Sequence, residues 1–163
     1  MVMSSRLFYL PDNHGYVLFD GPVLAHMYEH AQTRWFQREA GGQLFSPTPQ
    51  DTAVIISHAT GPYTSDMRRR HAFVPDARQA TDDRRRHFLE HRHAVGLWHT
   101  HPEANPTPSG QDRATAQDFL SEFDGQMTGF LLIILGNKGQ PFNLAVWLAR
   151  TNNHSNWVRL GEA

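Results

Sequence analysis

The run AVGLW at residues 94–98 carries no charged or hydrogen-bonding side chain except the indole of Trp98, and it leads without a break into His99-Thr100-His101-Pro102. A short apolar run bounded by polar segments reads as a buried strand. Pro102 forces the chain out of it, because proline fixes φ and brings no amide to a ladder. On a strand, residues two apart point to the same side with Cα atoms about 6.5 Å apart, so His99 and His101 can converge two imidazoles on one ion. Thr100 then faces the other way. Two polar rings at the end of an apolar strand are costly to bury unless something pairs with them.

The loop over residues 103–108 is rich in proline and returns the chain to a helix opened by Ser109, with apolar positions at Ala114, Phe119, Leu120 and Phe123. Asp112 lies in its first turn. Two neutral nitrogens need an anionic third ligand if a position for water is to stay open, which is the composition of catalytic rather than structural zinc sites. Asp112 can supply it, and the helix dipole favours a carboxylate there by ~0.3–1 kcal/mol. Ser109 and Asp112 also fit the capping pattern S/T-x-x-D/E, which by itself accounts for those two residues but not for the histidine pair. The chain has 11 histidines, so chance pairs are common. His26 and His30 at helical spacing, and His87, His91 and His93 beside an arginine run, are read as lying on solvated faces.

Cysteine is absent, which excludes a disulfide framework, a thiol nucleophile and thiolate-held zinc, and leaves imidazole and carboxylate as ligands. With 15 basic against 16 acidic residues, charge favours neither nucleic acid nor an anionic membrane as a partner. Arg68-Arg-Arg70 and Arg84-Arg-Arg86 are read as solvated faces or grips for an acidic protein partner, not as a nucleic-acid surface. The longest apolar run, residues 130–135, falls far short of the roughly 20 residues that cross a bilayer. A cytoplasmic protein without a membrane partner is expected. At 163 residues, one domain spanning 1–163 is expected.

Residues 6–10 and 15–19 read as short strands around a turn. Pro22 opens a helix whose apolar positions Leu24, Met27, Tyr28, Ala31 and Trp35 recur at helical spacing to about Arg38. Strands are predicted at 39–45, 53–58 and 70–74, a surface helix at 76–93, and strands at 127–135, 142–149 and 156–160. Alternating strands and helices, closed by strands, predict an α/β (α+β) fold with a mixed β-sheet flanked by helices.

His99-Thr100-His101-Pro102, six residues, Ser109, two residues, Asp112 resembles the His-Ser/Thr-His-Pro-x6-Ser-x2-Asp signature of the JAMM (MPN+, Mov34/JAB) metallopeptidases, with no departure in spacing. Glu39-Ala-Gly-Gly42 stands where that family carries its catalytic acid/base before a glycine pair. ATGP at 59–62 and FVPD at 73–76 extend the similarity to bacterial members, over a core of about 15–150. The resemblance implies one Zn²⁺ held by His99, His101 and Asp112, with Glu39 as proton shuttle and Ser109 as oxyanion donor. It also implies the MPN/JAMM fold, related to cytidine deaminase-like folds. Deaminase chemistry itself is excluded, since those enzymes draw zinc ligands from a Pro-Cys-x-x-Cys element.

Members of the family cut after the C-terminal tail of a ubiquitin-like protein or a conjugated protein C-terminus. The sequence is most similar to the stand-alone bacterial JAB peptidases of CBASS and Bil-type anti-phage operons, which implies E1- and E2-like proteins as operon partners. Processing of a sulfur-carrier protein and a non-catalytic MPN binding scaffold are the alternative readings.

Overall fold

The computed structural model describes residues 3–122, 129–150 and 157–163. The first strand, β1 (Arg6–Tyr9), pairs antiparallel with β2 (Tyr16–Phe19), and β2 pairs parallel with β4 (Ala53–Ile56), forming a three-stranded sheet. The larger sheet has six strands in the order β11-β10-β9-β8-β3-β5. These are β3 (Gly41–Ser46), β5 (His58–Ala59), β8 (His93–Thr100), β9 (Gly129–Gly139), β10 (Phe142–Arg150) and β11 (Trp157–Arg159). A hairpin of β6 (Met67–Arg69) and β7 (Ala72–Val74) stands apart. Among the described residues there are three α-helices: α1 (Gly21–Tyr28), α2 (Ala77–Leu89) and α3 (Gly110–Ser121).

Strand β9 shows why the large sheet is covered on both faces. It is apolar at every position from 130 to 135, as strands buried on both sides are. Leu131, Ile133 and Leu135 pack with α1 and the small sheet, whereas Phe130, Leu132 and Ile134 pack with Phe119 and Leu120 of α3. Strands β8 and β9 are parallel, and the chain between them crosses through α3. The carboxyl end of β8, the proline-rich loop and the first turn of α3 therefore meet at one end of the sheet's central strands.

The first helix is shorter than its apolar period predicts. It ends at Tyr28, and residues 29–38 form turns closed by Thr33 N–H to Ala31 O and Gln37 N–H to Arg34 O. Trp35, expected on the buried face, is 80% exposed. The helix expected over 76–93 is capped by Asp76, which accepts from the amides of Arg78 and Gln79, and stops at Leu89. His91 there takes a left-handed φ of 61°. Its amide bonds to Phe88 O and that of Arg92 to His87 O, a Schellman ending without glycine.

The run 53–58 is two strands in different sheets, and 70–74 belongs to the β6–β7 hairpin. Phe123 and the starts of the runs 127–135 and 156–160 lie outside the described residues. Among the described residues no helix is long and apolar enough to cross a membrane.

Candidate metal centre

His99 and His101 leave β8 on the α3 side, and Asp112 reaches them from the first turn of that helix. His99 Nε2 is 3.1 Å from Asp112 Oδ1, His101 Nε2 is 3.0 Å from Asp112 Oδ2, and the two Nε2 atoms are 3.2 Å apart. Glu39 enters from the segment before β3, its Oε1 3.8 Å from His101 Nε2. One ligand atom from each of these four residues lies within 4.8 Å of every other.

All four are buried. Such a cluster of titratable groups in low dielectric needs a compensating charge or proton among them.

The donor set fits a zinc ion. Nitrogen ligands at about 2.0–2.1 Å in tetrahedral array stand ~3.3 Å from one another, close to the spacing of the three atoms nearest the centre. Both imidazoles aim Nε2 at the same point. Glu39 Oε2 is buried without a hydrogen-bond partner, and Oε1 is 3.8 Å from His101 Nε2, so the carboxylate beside the centre has an uncommitted acceptor. A cavity of about 460 Å³ lined by Leu10, Asp12, His14, Val54, Leu131 and Arg150 lies toward the other end of β8, and among the described residues Asp12 and His14 there are not joined by a third such donor.

Charges in the cluster are set by burial against pairing. Burial pushes the Glu39 carboxyl up to about 8; His101 opposes this, and Asp112 and Glu103 add to it. Burial also acts to raise Asp112, but hydrogen bonds from His101 and His99 and the amide of Ser109 hold it far below the usual carboxylate range. For His99 burial prevails over Asp112 and its value falls. His101 is less deeply placed; burial opposes its charge, yet Asp112, Glu39 and Glu103 together raise it. A divalent cation at the centre would favour the deprotonated form of all four groups.

Glu39, His99, His101, Ser109 and Asp112, the candidate site residues of the sequence, are brought together here. Ser109 caps α3 as expected, its Oγ accepting from Asp112 N at 3.1 Å while its own amide donates to Asp112 Oδ2 at 2.7 Å. Ser109 is exposed, and among the described residues its hydroxyl donates to no acceptor while accepting from Asp112 N. Glu39 is placed in an extended segment two residues before β3, not inside a strand. The glycines that follow it allow close packing: a Cβ on Gly41 would lie 2.4 Å from Trp98 O, and one on Gly42 1.7 Å from Thr60 O.

The histidines read as solvated divide. His91 and His93 are exposed. His26 bonds through Nε2 to Gly61 O at 2.7 Å and, with His30, packs against Trp98. His87 is buried, stacked on Phe45 at 3.9 Å, with Nδ1 accepting from Arg92 Nε. The arginine runs are also partly structural. Arg84 binds Gln43, Thr81 and Glu122, Arg86 pairs with Asp83, and Arg70 donates to the carbonyls of Arg34 and Trp35.

Sequence reasoning missed Glu103, Gln32 and the role of Thr100. Glu103 Oε2 lies 3.9 Å from His101 Nδ1, a buried atom with no hydrogen-bond partner. Its position two residues after His101, on the same loop, was the available signal. Gln32 carried none, since the contacts that tie it to the hairpin and to β8 are with residues 38 and 68 positions away.

Residues 21–150 match the family of prokaryotic homologs of the JAB domain, and the chain belongs to that family. It is 37% identical over 107 residues, 63% of this chain and 66% of the relative, to a Pseudomonas aeruginosa protein named CD-NTase/cGAS isopeptidase. The fold is similar to the solution structure of protein DSY2949 from Desulfitobacterium hafniense, with a TM-score of 0.61 at 16% identity over 89% of this chain and 88% of that one.

Proposed function

We propose that this chain is a zinc-dependent peptidase of the JAMM type that cleaves a peptide or isopeptide bond after a protein's C-terminal tail. The observation that carries this is the convergence of His99 Nε2, His101 Nε2 and the Asp112 carboxylate beside the uncommitted Oε2 of Glu39. In this reading His99, His101 and Asp112 hold the ion, and residues 1–163 act as one catalytic domain.

Zinc, when bound, supplies Lewis acidity that makes a water acidic near neutral pH and polarises the scissile carbonyl. Glu39 Oε2 takes the proton of the attacking water as the new C–O bond forms. The same oxygen returns that proton to the leaving amine as the C–N bond breaks, so the carboxylate is restored. Ser109 O–H donates to the carbonyl oxygen as negative charge develops there. Asp112 is kept in position for this by the Ser109 amide, and Glu103, whose carboxylate is 3.9 Å from His101 Nδ1, adds negative charge beside that ring.

The substrate reading follows the named relative. A conjugated C-terminus of a CD-NTase, or a ubiquitin-like tail, is the proposed target, within anti-phage defence, with E1- and E2-like proteins as operon partners. An extended tail would be held by backbone pairing.

The test is to incubate metal-replete protein with fusions carrying CD-NTase and ubiquitin-like tails, with and without a chelator, and to locate the cut by mass. Cleavage directly after the tail, abolished by the chelator and restored by zinc, is expected. Zinc-free protein that still cleaves would overturn the metal mechanism. Loaded protein that binds the tails and cuts none would favour a binding scaffold.

A further inference from the structure

His99 and His101 are separated by a residue that faces the other side of the sheet, and that residue is more than a spacer. Thr100 is fully buried and looks toward the segment between α1 and β3. Its amide donates to Ala40 O at 2.9 Å, and its Oγ1 accepts from Ala40 N at 3.0 Å. A hydroxyl has one proton, and here it goes to Gln32 Oε1 at 2.8 Å. Gln32, 1% exposed, then donates through Nε2 to Arg70 O at 3.0 Å and Gln37 O at 3.2 Å.

The residue before Ala40 is Glu39, and its main chain is held from the hairpin. Glu39 N–H donates to Arg69 O at 2.7 Å, and Arg68 Nε donates to Glu39 O at 2.7 Å. Gln32 thus joins three pieces: the strand that carries both histidines, the turn segment 29–38, and the hairpin that grips Glu39.

This arrangement answers a geometric problem. Glu39 is not on a regular strand, and it comes from a part of the chain 60 residues away from His99. Its carboxylate must nevertheless stay a few ångströms from the centre without pairing directly with it. Misplacement by about 1 Å can cost on the order of 10²-fold in rate. We infer that Thr100 and Gln32 are positioning residues that fix Glu39 relative to the two histidines, so that the residue between the metal-facing rings also sets the distance to the proton shuttle. The inference rests on the role proposed for Glu39. Loss of the hydroxyl leaves the Ala40 amide buried without its acceptor and frees the Gln32 carbonyl, loosening the segment.

The test compares wild type with T100V, T100S and Q32L, reading zinc stoichiometry, amide hydrogen exchange and turnover on whichever tail fusion the wild type cleaves. The informative amide is that of Glu39, whose bond to Arg69 O none of the substitutions touches. In T100V it should exchange at least tenfold faster, with amides in the β8–β9 ladder unchanged, zinc still at one per chain, and kcat reduced at least tenfold at constant KM. T100S, which keeps the hydroxyl, should restore wild-type exchange and kcat. Q32L, which leaves the hydroxyl in place but unanchored, should show the same pattern at smaller amplitude. Wild-type exchange at Glu39 in both T100V and Q32L overturns the proposal, and so does loss of zinc from both, because the network would then be holding the ligands. If the wild type cleaves no fusion, the functional reading fails, and exchange at Glu39 with zinc content decides the positioning role alone.

Discussion

Ser109 and Asp112 form a reciprocal cap, with Ser109 N–H donating to Asp112 Oδ2 at 2.7 Å and Asp112 N–H to Ser109 Oγ at 3.1 Å. The carboxylate that closes this box is the one that faces both imidazoles. Capping the helix and facing the imidazoles therefore do not compete here; the cap aims the acid.

Replacing Ser109 with alanine separates two of its contributions. The backbone half of the box survives, so zinc content should stay at the wild-type level. Folding stability should fall by about 1 kcal/mol, the usual cost of a lost N-cap. Turnover should fall by about 10²–10³ if the hydroxyl stabilises the oxyanion. Denaturant melts, metal analysis and kinetics on one preparation read all three, and full turnover in the alanine variant would remove the serine from the chemistry.

Zinc affinity should rise with pH. Without metal, Glu39 is held at about 8 and so carries a proton near neutrality, and His101 is held above its ordinary value by Asp112, Glu39 and Glu103, which favours its protonated form. His101 must lose its proton to ligate, and a neighbouring cation drives off that of Glu39. The metal-free form binds more protons, and zinc must displace them, giving about a tenfold gain in affinity per pH unit for each proton released. Calorimetric titrations in buffers of different ionisation enthalpy count the protons. An affinity flat between pH 6 and 8 would refute this.

His87 predicts a separate acid sensitivity. Burial, then Arg92, Arg86 and His58, lower it from 6.5 to about 4, against the opposing pull of Asp83. Between those values the unfolded chain binds the proton and the folded chain does not, so stability is full above pH 6.5 and is lost as pH falls towards 4. Replacement by phenylalanine, which can keep the stack on Phe45, should flatten that part of the stability curve relative to wild type. Parallel melts of the two proteins across the window decide it; identical slopes would show that His87 is not the sensor.

Gly42 tolerates no side chain. Its Cβ would meet Thr60 O at 1.7 Å, the same carbonyl that accepts from Trp98 Nε1 at 2.9 Å. Gly42→Ala should destabilise the fold by about 3 kcal/mol, the upper end of the usual overpacking cost, because backbone rather than a flexible side chain must be displaced. A melt within 1 °C of wild type would mean that the segment at Thr60 moves freely.

What the sequence revealed depended on how local each cause was. The histidine pair, Pro102, Ser109 and Asp112 lie within 14 residues, and strand alternation and capping act over that range, so this part of the centre was legible. The continuous apolar run of β9 and the start of α3 were legible for the same reason. The end of α1 was not, because Ala31 and Trp35 continue a helical period that tertiary structure interrupts: Gln32 is drawn into the bond with Thr100. The run 53–58 looked like one strand because its β-branched residues are continuous, yet Ser57 N–H bonds to Phe45 O and passes the chain to the other sheet. His26 and His87 were misread as solvated because their partners, Gly61 and Phe45, are far away in sequence. The grip of the β6–β7 hairpin on Glu39 is likewise a contact between distant segments.

The most direct test of the central claim is an anomalous difference map at the zinc edge from protein loaded with one equivalent of zinc. A single peak within bonding distance of His99 Nε2, His101 Nε2 and an oxygen of Asp112, with Glu39 close by but not bonded, is the predicted result. A peak elsewhere, or no peak in protein that still cleaves its substrate, would contradict the assignment.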